Sequence, residues 1–427
     1  MNQELNRKVA PPIKQITNIP VPKIGEGYLD NQIKYYTACE NAFDLVFFEM
    51  CFKAGHCFTN ARCASSIANS MLTSGTTKHD SKYFAETLDF YGIEISTFHT
   101  SDFAGIQFTC LDKHLDIILP LLCEIITEST FPENELKNRI DNMRSSLKEK
   151  LETTSKIATD ALMNTIFDGH PYSKVNTIEG FNEIKREQII DFYKKYYNVA
   201  NCHLFLAGHI NDKTIKKLND TIGQLPVGEK NTQTFQKVIK TPQAPPIIIK
   251  KSNAVQTSIR LCATTIPLKN KDSHVLHILL GFFGGYFGSR LMKNIREEKG
   301  YTYGIGCSIE HLLFSDIIAI GSDIKKGCYQ QVLEEIKKEI DRLRNEPISD
   351  SELTLFRNYL MGTILECYGN PLMTTMVFAS GIRIGTDHIF HRKKQEAIMS
   401  ITASDLQDIA NKYLNFDNFF ISVVGDE

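Results

Sequence analysis

The alternation of hydrophobic and polar positions predicts a chain that mixes strands and helices throughout. In the first half, apolar runs and alternating segments predict strands at 44–53, 94–99, 103–111 and 202–207. Helical spacing predicts helices at 83–91, 114–127 and 186–196, and one long helix from about 132 to 167. These elements together indicate an α+β unit rather than an all-helical or all-strand domain.

One predicted helix places three polar residues on a single face. The stretch ASSIANSMLTSGT (64–76) has helical apolar spacing over about two to three turns and reaches Gly75, a typical exit residue. Ser66, Asn69 and Ser70 lie at i, i+3 and i+4 and therefore share one face. This spacing would suit two metal ligands with an acid between them, but Ser and Asn are poor zinc ligands and an amide is no general base.

The chain contains an internal repeat. The segments that begin at Ile184 and Ile401 align over their length, at an offset of 217 residues (401 − 184). The matched pairs are Lys195/Lys412, Tyr196/Tyr413, Asn198/Asn415, Asn201/Asn418 and Gly208/Gly425. We therefore predict an α+β fold of two homologous repeats, each a mostly antiparallel sheet with helices packed on one face. The predicted repeats are 1–225 and 247–427, and the polar, Pro-rich stretch 226–246 is the predicted linker.

The composition excludes several classes of protein. The 427 residues are 42% hydrophobic and 23% charged, with a net charge of -2, which is typical of a globular protein and argues against a nucleic-acid partner. The first residues have no apolar core of a signal peptide, and no run is long enough for a membrane span, so we expect no membrane partner. Eleven cysteines without C-x-x-C spacing favour a reducing compartment, and we expect a cytoplasmic location.

The helix at 64–76 resembles the active-site helix of the pitrilysin/insulinase zinc metallopeptidases. Their inverted motif, H-x-x-E-H, is followed by M-L-x-x-G-T, and this chain keeps the M-L-x-x-G-T part. The resemblance implies that Ser66 and Ser70 replace the two His ligands and that Asn69 replaces the general-base Glu. The third ligand of the family, a Glu on a long downstream helix, falls near Ser146, with Glu149 one turn away. The duplication also resembles the two-domain chains of the mitochondrial processing peptidase.

A second resemblance lies in the other repeat, at GGYFGSRLMKNIREEKGYTYGIG (284–306). The C-terminal halves of these peptidases carry a similar pattern, in which an Arg and a Tyr seven residues on contact the substrate. The resemblance implies that Arg296 and Tyr303 bind substrate, where a guanidinium and a phenol would donate hydrogen bonds to a developing oxyanion. The alternative is that Arg296 pairs with Glu297 or Glu298 on the surface and that Tyr303 belongs to the core.

The resemblance implies a non-catalytic subunit that binds peptide and complements a zinc-bearing homologue in proteolysis. This chain would then hold no cofactor, and zinc would be present only in the partner. Two alternatives stay open, a homodimeric peptide-binding or scaffold protein without an enzyme partner and a zinc metalloendopeptidase with an unrecognised site. The loss of both ligands and the base argues against the second alternative, because each takes part in metal-assisted hydrolysis.

Overall fold

The computed structural model describes residue 16 and residues 19–40 and 44–425. The beginning of the predicted first repeat (1–15) therefore lies outside the described residues. Apolar side chains of the described part form two main cores, one for each half of the chain. Each core lies between one face of a β-sheet and the helices that cover that face.

The first half builds a six-stranded sheet. Its strands are β1 (Gly25–Tyr28), β2 (Lys34–Cys39), β3 (Leu45–Phe52), β4 (Glu94–His99), β5 (Ala104–Leu111) and β6 (Cys202–Gly208). They lie in the order β1-β2-β6-β3-β5-β4, and every pair is antiparallel except β2 with β6. Strand β4 therefore lies at one edge of the sheet, paired on one side only with β5.

The second half builds a five-stranded sheet on the same plan. Its strands are β7 (Ile247–Lys250), β8 (Thr257–Thr264), β9 (Thr302–Leu312), β10 (Ser315–Ile324) and β11 (Phe420–Gly425). The order is β7-β11-β8-β10-β9, and only β7 and β11 are parallel. The single parallel pair occupies the corresponding place in both sheets, as expected for a duplicated unit.

The helices of the first half are α1 (Ala64–Ser70), α2 (Ser81–Tyr91), α3 (Leu115–Glu128), α4 (Glu133–Leu151), α5 (Thr154–Ile166), α6 (Ile178–Glu183), α7 (Arg186–Tyr196) and α8 (Asp212–Asp220). The prediction of one long helix from about 132 to 167 is wrong. The helix ends at Leu151, and a new helix begins after Thr153, whose side chain accepts a hydrogen bond from the Lys156 amide. A polar N-cap of this kind starts a helix in the middle of a continuous helical pattern.

The helices of the second half are α9 (Ser273–Gly284), α10 (Tyr329–Asn345), α11 (Asp350–Tyr368), α12 (Pro371–Arg383), α13 (His388–Ser400) and α14 (Ala403–Tyr413), and a π-helical segment spans Met292–Glu298. Three helix pairs repeat at the offset of 217 with equal lengths: α4 and α11 (19 residues), α5 and α12 (13 residues), and α7 and α14 (11 residues). The prediction of two homologous α+β repeats is confirmed.

The two halves exchange one helix each. Helix α5 of the first half packs against β8 and β11 of the second sheet, and α12 of the second half packs against β2 and β6 of the first sheet. On the first sheet this exchange covers the face opposite the main core, where Cys51 and Phe205 contact Ala379 of α12. Each sheet therefore carries its own helices on one face and a helix from the other half on the second face.

The segment 226–246 contains no helix or strand, as expected for a connection. It is nevertheless attached to the β9–β10 hairpin, because the Val238 amide donates to the Phe314 carbonyl at 3.0 Å and the Phe235 ring lies 5.1 Å from the Phe314 ring. The boundaries of the predicted repeats stay a prediction. Among the helices of the described residues, none combines the length and the apolar character needed to cross a bilayer.

Candidate functional site

Helix α1 is the structural frame of the candidate site. It has about two turns, over Ala64–Ser70, and Cys63 precedes it in the left-handed conformation (φ 68°). Ile67, Met71 and Leu72 are fully buried, which confirms the predicted apolar stripe. Gly75 has a φ of 146°, a value that side chains strongly disfavour, so a glycine is needed where the chain leaves this helix.

The three polar residues of this helix are all engaged in internal hydrogen bonds. The Ser66 hydroxyl donates to the Cys63 carbonyl at 3.0 Å and accepts from Asn176 Nδ2 at 3.0 Å. Asn69 is buried, and its Nδ2 donates to the Gly105 carbonyl and to the Tyr197 hydroxyl, both at 3.0 Å. Ser70 donates to the backbone carbonyl one turn before it at 3.0 Å.

Helix α4 provides no metal ligand at the place of the family's third ligand, the Glu on the long downstream helix. The α4 side chain that contacts Ser70 is Met143, whose Sδ lies 3.7 Å from the Ser70 hydroxyl oxygen. Ser146, one turn further along, is exposed and lines a neighbouring cavity, and Glu149 is exposed as well. Within the described residues, no three His, Cys, Asp or Glu side chains are grouped so that they could hold a metal ion.

These residues do not fit a zinc ion. The two hydroxyls and the amide donate their protons to groups inside the protein, mainly backbone carbonyls. They therefore offer a metal ion no anionic or imidazole ligand. The amide of Asn69 also cannot take a proton from water, because it has no basic lone pair at neutral pH. We therefore derive no hydrolytic step on this chain.

Zinc content tests this conclusion directly. The purified chain, incubated with zinc and then desalted, is expected to retain well under about 0.1 zinc per chain, because structural and catalytic sites need three or four His, Cys or carboxylate ligands. Inductively coupled plasma mass spectrometry measures the ratio. The triple variant S66H/N69E/S70H serves as the comparison with a restored motif. One tightly held zinc per unmodified chain would contradict the conclusion.

A cavity of about 490 Å³ adjoins this helix. Three of its lining residues contact the serines of α1: Asn176 bonds Ser66, Met143 contacts Ser70, and His99 Nε2 lies 3.0 Å from the Ser65 hydroxyl oxygen. His99 is the last residue of the edge strand β4, and the His56 ring lies 6.1 Å from its ring. Burial, with a smaller effect of His56, lowers the pKa of His99 to about 4, so this imidazole is neutral at pH 7.

Sequence reasoning missed the histidines and lysines of this cavity. His56, His99, Lys150 and Lys156 come from four separate segments and follow no motif spacing. They come to one place only in the folded chain, where α4, α5, the end of β4 and the 3-10 turn that contains His56 line the same cavity. The sequence therefore offered no signal that could have identified them as a group.

The structure brings Arg296 and Tyr303 together. Arg296, in the π-helical segment, donates from Nε to the Tyr303 carbonyl at 3.1 Å, and its guanidinium lies 4.6 Å from the centre of the Phe287 ring. The Tyr303 side chain is 91% exposed, so the alternative that places it in the core is excluded. Arg296 has only a loose contact with Glu297, at 3.8 Å. The exposed Phe287, which the sequence did not single out, stacks on the guanidinium, and Phe287, Arg296 and Tyr303 form a cluster beside the edge strand β9.

Comparison with protein families gives two matches that together reach from residue 44 to residue 360. The model described as "Insulinase (Peptidase family M16)" matches residues 44–177, and the model described as "Peptidase M16 inactive domain" matches residues 183–360. Both halves of the chain are thus similar to parts of the same family.

Individual relatives carry contrasting descriptions. The chain is 22% identical over 303 residues to an "uncharacterized zinc protease YmxG" of Bacillus subtilis, which covers 70% of this chain and 73% of the relative. It is 24% identical over 331 residues to a "non-peptidase homolog YmxG" of Helicobacter pylori, with coverage of 68% and 73%. A crystal structure of a peptidase M16 inactive domain from Pseudomonas fluorescens superimposes with a TM-score of 0.87 at 20% identity, over 95% of this chain and 98% of that one. At this identity, the superposition shows a shared fold.

Proposed function

Because the chain belongs to the insulinase family of peptidases, family M16, as an inactive homologue, we propose that it is a non-catalytic subunit. In this proposal it binds an extended peptide and complements a zinc-bearing homologue in proteolysis. The observation that carries the proposal is the contrast between its two family sites. The zinc positions are closed by internal hydrogen bonds, whereas Tyr303 is 91% exposed beside Arg296.

The cluster of Arg296, Tyr303 and Phe287 has the composition of a recognition surface. Arg and Tyr are enriched among the residues that dominate binding energy at interfaces. Stacking on Phe287 and the bond to the Tyr303 carbonyl limit the freedom of the guanidinium, so less entropy is lost when it binds a ligand. Its remaining N–H groups can donate to a peptide carbonyl, and the Tyr303 hydroxyl adds another donor.

Edge strand β4 offers main-chain hydrogen-bonding groups to a peptide. One side of β4 bonds to β5, and the other side has no strand partner within the described residues. An extended peptide can add to such an edge through main-chain hydrogen bonds, which gives affinity with little sequence preference. The strand ends at His99 beside the cavity of α1, so a peptide on β4 would pass the former zinc position without meeting a metal.

In the assembled pair, the partner supplies zinc, its water and the general base. This chain supplies hydrogen-bond donors and a peptide-binding edge, and its own α1 takes no part in bond cleavage. None of the eleven cysteines, all of which lie in the described part of the chain, forms a disulfide, so we include a reducing compartment, the cytoplasm, in the proposal.

Reconstitution tests the proposal. The chain is mixed with the zinc-bearing insulinase homologue of the same genome, and complex formation is followed by light scattering and cleavage by fluorogenic peptides. Arg296→Gln and Tyr303→Phe are each expected to lower kcat/KM of the pair by at least about tenfold, because each removes a donor to the peptide carbonyl. Complex formation and the thermal midpoint should stay unchanged, because both groups lie at the surface.

Arg392→Gln is the matched control, since Arg392 is 63% exposed on α13, outside this cluster. A chain that binds neither the zinc-bearing homologue nor unfolded peptide would rule the proposal out. A stable homodimer that captures peptide without a partner would point instead to the scaffold function. Chelator-sensitive cleavage by this chain alone would require an unrecognised catalytic site.

A further inference from the structure

The cavity beside α1 has a charge pattern that a degenerate zinc site does not explain. Two of its lining residues, Lys150 and Lys156, are cations, and no Asp or Glu is among the residues that line it. The two histidines of the lining, His56 and His99, are too few ligands for a zinc site, and the lysines favour an anion.

Lys150 and His56 each bring to this cavity a polar group that has no protein partner among the described residues. Lys150 lies on the last turn of α4, is exposed, and has no ion-pair partner among the described residues. Lys156 is different, because its Nζ lies 2.6 Å from Asp160 Oδ1 and its charge is largely balanced. The Nε2 atom of His56 is buried and has no hydrogen-bond partner among the described residues. Leaving a buried polar group unpaired is unfavourable, so a ligand that pairs with it is favoured.

The rest of the lining is divided between apolar and neutral polar groups. Met143, Leu147, Val175 and Phe181 form an apolar part, and Asn142 and Ser146 offer neutral hydrogen-bonding groups. Such a lining accepts an apolar side chain next to a carboxylate. A peptide end has both features within one residue.

The internal repeat shows that the fold does not require these cations. At the offset of 217, Lys150 corresponds to Cys367 of α11, and Lys156 corresponds to Met373 of α12. The same pair of helices therefore forms in the second half with neutral residues at both places. The cations of the first half are a local feature of this cavity rather than a demand of helix packing.

We propose that this cavity binds a carboxylate of a peptide lying along β4, held by Lys150 Nζ and by the Nε2–H group of a protonated His56. The inference rests on the proposed peptide binding and specifies the class of peptide. His99 connects the two parts of the site, because it ends β4 and also lines the cavity. The carboxylate belongs either to the peptide C-terminus or to an Asp or Glu side chain, which present the same group to Lys150.

Three peptide forms distinguish these sources. A fluorescein-labelled pool of peptides of about 12 residues, which lack Asp and Glu, is made with a free C-terminal acid and with a C-terminal amide. A third pool has the amide and one internal Glu. Fluorescence anisotropy is expected to show about tenfold tighter binding of one carboxylate-bearing pool than of the amide pool, as for a charge-assisted hydrogen bond. The tighter of the two carboxylate pools identifies the source.

The Lys150→Gln variant is expected to lose this preference and to bind all three pools like the amide form. Lys150→Glu is expected to bind the amide pool more tightly than either acidic pool. Lys148→Gln is the matched control, because Lys148 is exposed on the same helix and does not line the cavity. Thermal midpoints verify that each variant is folded.

Three results overturn the inference, and the first two separate it from the proposed function. If the unmodified chain binds all three pools with equal affinity, the carboxylate site is wrong and peptide binding remains. If Lys148→Gln and Lys150→Gln reduce the preference equally, it comes from the general charge of α4 and the assigned contact is wrong. If no pool binds, both the inference and the peptide-binding function fail.

Discussion

Replacing Arg383 with methionine is expected to lower the free energy of unfolding by about 3–5 kcal/mol, the range for breaking a buried ion pair. Arg383 lies on the exchanged helix α12 and bonds to Glu49 of β3, with side chains 20% and 6% exposed. Methionine retains much of the length but removes the charge, which leaves the Glu49 carboxylate buried and unpaired. The contacts of the guanidinium with the rings of Phe98 and Phe205, at 5.0 and 5.4 Å, are lost as well.

The same substitution is expected to change the pH dependence of stability. Burial raises the pKa of Glu49 and Arg383 lowers it, so the variant retains the raising effect alone. A carboxyl whose pKa is higher in the folded than in the unfolded state binds more protons when folded, and stability then increases as the pH falls. The loss of unfolding free energy caused by Arg383→Met, relative to the unmodified chain, should therefore become smaller as the pH falls from about 8 to about 5.

Urea unfolding followed by circular dichroism at both pH values measures this change. Glu49→Gln combined with Arg383→Met serves as the control and should recover part of the stability and lose the added pH dependence. An equal deficit at both pH values would assign the effect to packing rather than to the unpaired carboxylate.

Asp102→Ala is the second large effect that we expect, a loss of about 3 kcal/mol, since charged hydrogen bonds contribute about 1.5–3 kcal/mol each. The buried Asp102 carboxylate accepts from the Tyr172 hydroxyl at 2.6 Å, the Leu313 amide at 2.9 Å and Cys57 Sγ at 3.6 Å. Leu313 lies in the β9–β10 turn of the second half. Alanine leaves these donors without an acceptor and weakens the attachment of that hairpin to the first half.

Two measurements separate this effect from a general loss of stability. Urea unfolding gives the total change, and hydrogen exchange at Leu313 is expected to accelerate more than exchange within α4, far along the chain from the lost bond. Asp89→Ala, at an exposed site on α2, is the control and should change neither quantity. Unaltered exchange at Leu313 would show that Asp102 does not hold the hairpin.

The repeat and its elements were predictable because they depend on local periodicity. The match of Tyr196 with Tyr413 lies at the offset that also relates α7 to α14, two helices of equal length. The buried run at 44–53 predicted β3. The break between α4 and α5 was missed because Thr153, a single capping side chain, interrupts a pattern that is otherwise helical. Local propensity gives the type of an element more reliably than its ends.

The candidate site was predictable only where a motif marks it. Arg296 and Tyr303 are seven residues apart in one motif, and the structure joins them through the Tyr303 carbonyl. The spacing could not place Met143, instead of Ser146, against Ser70, because that depends on how α4 lies on α1. Arg383 and Glu49 are 334 residues apart in the sequence, so no local periodicity could predict that they form an ion pair.

The exchange of α5 and α12 has a consequence for the origin of this architecture. In each half, the helix that the other half contributes lies on the second face of the sheet. A half on its own would leave the face under the exchanged helix open to water, and two copies that trade the same helix would cover both faces symmetrically. The chain therefore has the arrangement of a domain-swapped homodimer whose two copies are joined into one polypeptide. The two copies carry different surfaces, as Lys150 and Cys367 show at equivalent places.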